Sequence, residues 1–180
     1  MLQITIPETN LWDESKEEFV YTKEQTIQLE HSLISISKWE SKWHVSFFDN
    51  KGMTEEQTLD YIKCMTITQN VKPEVYLALT NDNINQIKSY IDNPMTATTI
   101  KEPPGGPRSR RIITSEIVYS WMISFGIPPE YRKWHINRLM TLIKVCSAEN
   151  QQNPKMGRNE TIKQYADLNA QRRKMLNSRG

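Results

Sequence analysis

The chain has 180 residues, of which 37% are hydrophobic and 24% charged, and its formal net charge is +2. This length fits one domain with an appended tail, and the composition excludes a disordered protein. No apolar run approaches the roughly 18–20 residues of a membrane span. The acidic N-terminus lacks the pattern of a secretion signal, so we expect a cytoplasmic protein without membrane contact.

Short extended segments are predicted near the N-terminus. Residues 2–6 alternate apolar and polar side chains and stop at Pro7, and 19–21 and 26–29 also favour strands. From Ser32 to Trp43 the apolar residues follow a helical stride, which predicts a helix. The sequence therefore places a small β element ahead of the first helix.

Helices are predicted over most of the remaining chain. Thr54 and Gln57 form a capping box, Thr80 is an N-cap, and Gly126 suits a helix end. A final helix is predicted after Asn159, whereas 95–100 favours β-structure. The other predicted helical segments are 54–69, 73–79, 80–91, 114–125 and 128–152.

A break in the middle of the chain separates two helical parts. Residues 101–111 hold three prolines, two glycines and four basic residues, which predicts an exposed loop or hinge. We expect 1–100 to form the β element and helices, 112–154 a helical hairpin of the same domain, and 155–180 a basic C-terminal helix or tail. The predicted fold class is mainly α with a small N-terminal β element (α+β), a compact helical domain followed by that basic helix.

No set of residues with a catalytic or metal-binding pattern was found in the sequence. His31, His44 and His135 are isolated, and no closely spaced Cys/His pair offers the ligands that zinc needs. Cys64 and Cys146 fall in apolar helical patterns, where buried, inert thiols are expected. Glycine-rich phosphate loops and nucleophile motifs are also absent. We therefore predict a binding protein with no cofactor and no enzymatic activity.

Charge is distributed unevenly along the chain. Residues 1–154 carry 16 basic and 19 acidic side chains, while 155–180 carry seven basic and two acidic ones. The basic tail, with Arg172, Arg173 and Lys174 as candidate contacts, suits an acidic protein surface, nucleic acid or simply a solvated helix.

The helices around Gly126 have the outline of a helix-turn-helix, in which the second helix reads nucleic acid. That second helix is too apolar for a recognition helix, so an ordinary helical hairpin is favoured over nucleic-acid binding.

Four aromatic residues are candidates for contact with a protein partner. Trp39 and Trp43 lie four residues apart, so a helix places both indoles on one face. Phe47 and Phe48 follow in a loop with turn chemistry. The tryptophans either anchor the core or form a docking face, and both interpretations are compatible with the sequence.

Several blocks of this sequence resemble the tail assembly chaperones of long-tailed bacteriophages of the siphovirus type. The resemblance covers most of the chain and is carried by residues 29–43, 54–76, 94–100, 113–146 and 168–180. It implies a protein that acts in the host cytoplasm, binds the long helical tape-measure protein and keeps it soluble until the tail tube forms. It also implies that several copies coat one client, so self-association is expected, and it transfers no catalytic residue.

Two alternatives from other classes remain at this point. The chain could be a structural protein of the head–tail junction or the tail, which would stay in the virion or bind another tail protein. It could also be a regulator that binds nucleic acid, in which case its affinity would fall steeply with salt.

Overall fold

The computed structural model describes residues 1–13, 17–50, 52–99 and 112–152, together with 162, 165–169, 171–172 and 175. The chain divides into two compact units, Met1–Lys144 and Val145–Gly180. The predicted loop at 101–111 lies outside the described residues. The described positions after 152 are helical, and those with described side chains are exposed.

The first unit begins with a long antiparallel β-ribbon. Its strands are β1 (Leu2–Ile6), β2 (Thr9–Asp13), β3 (Glu18–Thr22) and β4 (Gln25–Leu29). β1 pairs with β4 and β2 with β3, and in both ladders the facing residue numbers add up to 31. The two ladders are therefore successive segments of one hairpin, interrupted where Pro7, which has no backbone N–H, would continue the pairing. The sequence predicted three of these strands and missed β2.

Helices make up most of the rest of the described chain. They are α1 (Leu33–Trp43), α2 (Glu55–Met65), α3 (Pro73–Leu77), α4 (Asn81–Asp92), α5 (Ser115–Ser124) and α6 (Ile136–Gln152), with a 3-10 helix at Pro129–Lys133. The predicted capping box of Thr54 and Gln57 is present, and Thr80 caps α4 as expected. Gly126 has a φ of 65°, the left-handed geometry expected after α5. The mainly α, α+β prediction is confirmed for the described residues.

The core lies between one face of β1–β4 and the helices of the first unit. The alternation predicted for β1 brings Ile4 and Ile6 to the buried face, and Ile27 and Leu29 of β4 lie opposite. They share one apolar cluster with residues from α1, α2, α4, α5 and α6: Leu33, Ile36, Trp39, Ile62, Met65, Ile87, Val118, Met122 and Leu139. Burial on this scale is the main favourable term for the fold.

Glu40 joins three parts of the first unit through its buried carboxylate. Its Oε1 accepts the backbone N–H of Phe47 at 2.8 Å, and its Oε2 accepts that of Ser115 at 2.7 Å. Ser115 is the first residue of α5, whose leading N–H groups have no partner within the helix. The side chain therefore fixes α1, the loop after it and the start of α5 against one another.

Two predictions were wrong in detail. Residues 95–99, predicted as β-prone, do not form a strand, because Thr96 uses its hydroxyl to accept the N–H of Thr98 and Met95 has a φ of 51°. Trp134 was placed within the last helix, but α6 begins at Ile136. Trp134 instead follows the 3-10 helix, where its ring stacks on Tyr131 at 4.0 Å between centroids.

Candidate protein-binding surface

The exposed apolar surface that stands out in the first unit is on the β-ribbon, away from the residues singled out in the sequence. Trp12 on β2 is 53% exposed, and Phe19 and Tyr21 on β3 are 70% and 55% exposed. We call these three side chains the aromatic face. Large aromatic rings left in water together are typical of surfaces that bind another protein.

Pairing across the ribbon brings the aromatic face together. Trp12 lies directly opposite Phe19, and their rings meet edge to face with centroids 5.0 Å apart. Tyr21 is two residues from Phe19, so its side chain leaves the strand on the same side. Its hydroxyl donates a 2.7 Å hydrogen bond to Oε2 of Glu8, which fixes the ring and raises its pKa.

The opposite side of this ladder is turned toward the protein. Leu11 and Val20 are partly buried, and Thr22 is only 6% exposed. In the β1–β4 ladder the buried positions are those of Ile4 and Ile6, whose alternation, continued without a break, would bury Trp12 instead of Leu11. The side of the ribbon that is covered by the protein therefore changes where the pairing is interrupted. Two-stranded ribbons twist strongly, and an interruption gives that twist a place to develop. This surface was not predicted from the sequence, because β2 was missed and the register that places Trp12 opposite Phe19 depends on β2.

Trp39 cannot belong to an exposed docking face, and that expectation was wrong for this residue. Its side chain is 0% exposed, and its Nε1–H donates to the carbonyl oxygen of Gln57 at 3.0 Å. This is the core alternative left open by the sequence. Burial of the indole with its N–H satisfied makes Trp39 an anchor between α1 and α2.

Trp43 lies at the rim of the core rather than inside it. The residue is partly exposed, and its Nε1–H donates to Oδ2 of Asp60 at 3.0 Å. Lys42 also pairs with Asp60, through its other oxygen. Burial raises the pKa of the Asp60 carboxyl, but the hydrogen bonds from Lys42 and Trp43 outweigh it, and the pKa lies below its ordinary value. Trp43 is held by contacts within the chain, which leaves only part of its ring for a partner.

Phe47 and Phe48 are both partly exposed and pack on the edge of the same core. The ring of Phe47 lies 4.4 Å from that of Tyr61 and meets Trp39 edge to face at 5.6 Å. Phe47 is therefore part of an aromatic cluster inside the fold. The structure does not bring the four sequence-predicted aromatic residues together as one exposed surface.

A groove runs between β3 and α3, beside the aromatic face. Its volume is about 700 Å³, within the usual range for binding sites. One wall is formed by the consecutive residues 19–25, and the other by Asn70, Lys72, Glu74 and Val75. The hydroxyl oxygen of Thr22 and Oε2 of Glu74 are buried and have no hydrogen-bond partner among the described residues. Buried polar atoms without partners are costly, so they mark a place where a ligand can supply donors.

A polar network lies inside the first unit, around His31 and His135. Their rings are 5.0 Å apart, and both residues are buried. His135 donates from Nε2 to the carbonyl oxygen of Tyr90 at 3.0 Å, and His31 shares a hydrogen bond with the hydroxyl of Tyr61. Burial, with the neighbouring His135, lowers the pKa of His31 to about 3. Both rings have protein partners and lie away from the surface, which is typical of a structural network.

The predicted contacts in the basic tail are only partly visible. Arg172 is helical and exposed, as are Tyr165 and Leu168. Arg173 and Lys174 lie outside the described residues.

The cysteines are free but are not fully buried as predicted. Cys64 and Cys146 are both partly exposed. Burial and the nearby carboxylate of Asp60 raise the pKa of the Cys64 thiol, which disfavours the reactive thiolate. Among the described residues, no group of three or more His, Cys, Asp or Glu side chains is placed to hold a metal ion.

Comparison with known proteins gives no relative. No protein-family model matches the chain, and no curated protein and no solved structure is significantly similar to it. None of the helices in the described ranges combines the length and apolar character that a membrane crossing requires.

Proposed function

We propose that this protein is a phage tail assembly chaperone that binds the tape-measure protein through its aromatic face and keeps it soluble until the tail assembles. In this role it acts in the host cytoplasm, in several copies per client, and catalyses no reaction. The observation that carries the proposal is the exposure of Trp12, Phe19 and Tyr21 on one side of the ribbon. The resemblance of the sequence blocks supplies the identity of the client.

The chemistry of the aromatic face suits a long helical client with repeated apolar stripes. Tryptophan, tyrosine and phenylalanine bury a large area with few rotatable bonds, so ordering them on binding costs little. Such rings also accept varied apolar side chains, which a protein that coats a long partner needs. A ribbon that is held on its other side by Leu11, Val20 and Thr22 presents the rings on a supported scaffold.

Co-expression with the tape-measure protein of the same phage tests this proposal. The wild-type chain should increase the soluble fraction of the client, and Trp12→Thr with Phe19→Thr should remove that effect. Threonine preserves strand propensity, and both positions are exposed, so the variant should fold.

Ile123→Ser is the matched control, because Ile123 is 81% exposed but lies on α5. The proposal fails if the wild-type chain leaves client solubility unchanged. It also fails if the ribbon variant protects the client as well as Ile123→Ser does. Stoichiometric copies of the chain in purified virions would instead favour a structural tail protein.

A further inference from the structure

The ribbon strands differ in how their outer edges are covered, because β1 and β4 are hydrogen-bonded to other parts of the first unit. Beyond the ladder with β1, the end of β4 is bonded to the end of α2 and the chain after it. Glu30, which follows β4, donates its N–H to the carbonyl of Met65 at 2.9 Å, and Ile67 donates its N–H to the carbonyl of Gln28 at 2.8 Å. On β1, the carbonyl of Thr5 accepts Nδ2 of Asn83 at 3.2 Å. The protein therefore covers the outer edges of the β1–β4 ladder with its own atoms.

The outer edge of β3 is not covered in this way. Within the described residues, 19–25 make no backbone hydrogen bond to a partner outside the ladders. The same seven residues form one wall of the groove, whereas 9–12 of β2 do not line it. The groove therefore runs along the side of β3 that faces away from its paired strand. Open strand edges carry unpaired N–H and C=O groups that can pair with another chain.

The groove is lined by side chains of both charges, Lys23, Glu24, Lys72 and Glu74, and among these Glu74 has a buried oxygen. In the part of the chain that the structure describes, Oε2 of Glu74 is a buried carboxylate oxygen without a donor, and the hydroxyl of Thr22, on a residue only 6% exposed, is also unpartnered. An ammonium or guanidinium group gives a carboxylate its strongest hydrogen bonds. Phe19 and Tyr21 add aromatic rings on the same wall, against which a cation or an apolar stem can pack.

We propose that the groove binds an extended peptide segment of a partner protein, which pairs with the free edge of β3 and places a lysine or arginine side chain on Glu74. The strand edge requires a backbone that is itself extended, which a small molecule cannot supply over five residues. The cationic side chain completes the pairing of the Glu74 carboxylate. Main-chain hydrogen bonds provide affinity in this mode, and the cation provides specificity.

This site goes beyond the proposed function, because it recognises an extended segment with a charge rather than an apolar helical stripe. The two sites can be separated by mutation, although Phe19 and Tyr21 touch both. Trp12 does not line the groove, and Glu74 is not part of the aromatic face. Loss of one activity therefore does not imply loss of the other.

Selection of a random-peptide display library on the full-length chain tests the proposal. Enriched peptides should carry a lysine or arginine between β-branched or aromatic residues. For a synthetic copy of an enriched peptide, Glu74→Gln should weaken binding by about tenfold, which is the size of one charge-assisted hydrogen bond. Glu56→Gln, at an exposed glutamate at the start of α2, is the matched control and should bind as the wild type does.

Backbone pairing is tested separately by N-methylation of the same peptide, one amide at a time. Strand pairing predicts that methylation at alternate positions abolishes binding and that methylation between them is tolerated. The proposal is overturned if no peptide is enriched, if enriched peptides lack a basic residue, or if Glu74→Gln binds them as the wild type does. Equal sensitivity at every methylated amide, or binding in a helical conformation, would also overturn it.

Discussion

Trp12 and Phe19 face each other across β2 and β3, with ring centroids 5.0 Å apart in an edge-to-face arrangement, and each is more than half exposed. A pair of this kind gains some stability from the contact between the rings. Most of its apolar area nevertheless stays in water. The pair is therefore placed better for binding than for stabilising the fold.

The first prediction concerns the energy of this pair. Trp12→Thr and Phe19→Thr should each lower the free energy of unfolding by about 1 kcal/mol or less, because both rings are exposed. A double-mutant cycle should give a coupling of about 0.2–1 kcal/mol, the usual range for a cross-strand pair. Urea unfolding of the four proteins measures both quantities, and a loss of several kcal/mol in either single variant would show that the ring is part of the core.

Trp39 should behave in the opposite way. Trp39→Ala removes a fully buried indole and leaves the carbonyl of Gln57 without its donor, so we expect a loss of about 3–5 kcal/mol. Trp43→Ala is the natural comparison, since Trp43 lies on the same helix but is partly exposed, and its cost should be clearly smaller. Thermal unfolding of both variants measures the difference. Equal effects would contradict the placement of Trp39 in the core and Trp43 at its rim.

Glu40→Gln tests the buried carboxylate that joins α1 to α5. The amide keeps one acceptor but turns a donor toward the N–H of Phe47 or Ser115, so we expect a loss of about 2–3 kcal/mol. Denaturant unfolding measures this loss, with Glu56→Gln as an exposed control that should stay near the wild type. A Glu40→Gln protein as stable as that control would mean that the two hydrogen bonds contribute little.

Stability should fall on acidification because His31 is buried in its neutral form. Its folded pKa of about 3 lies below the ordinary value of 6.5, so the unfolded chain binds the proton more readily between these two pH values. The contribution of neutral His31 to the free energy of unfolding is complete above pH 6.5. It is lost as the pH falls toward 3, by up to about 1.4 kcal/mol per pH unit.

The check is the pH dependence of urea unfolding for the wild type and His31→Asn. We expect the variant to show a flatter decline below pH 6.5, whatever its stability at neutral pH. His44→Asn is the control, since His44 is exposed and its left-handed backbone, with a φ of 54°, is one that asparagine tolerates. Parallel curves for the wild type and His31→Asn would show that His31 does not cause this loss of stability in acid.

The sequence predicted local structure well where a short-range signal decides it. The capping box of Thr54 and Gln57 and the cap at Thr80 depend on residues three positions apart, and each begins a helix as expected. Residues 95–99 show where prediction from local propensity fails, because strand propensity has little effect without a partner strand. Local side-chain bonds, such as that of Thr96, decided the conformation there.

The candidate surface could not be predicted in the same way. Whether an aromatic residue is buried or exposed depends on which face of its element meets the core, and this follows from tertiary packing. Trp39 and Trp12 are chemically alike, yet one is sealed and the other lies on the open side of the ribbon. The register that pairs Trp12 with Phe19 required the missed strand β2. The unpartnered atom of Glu74 is likewise a property of packing alone.

Photo-crosslinking shows whether the aromatic face contacts the client. A photoreactive phenylalanine analogue is placed at Phe19 in one protein and at Ile123 in another, both positions being strongly exposed. Each protein is then co-expressed with the tape-measure protein and irradiated. We expect a covalent adduct with the client from position 19 and none from position 123. Absence of an adduct from position 19, or equal yields from the two positions, would contradict it.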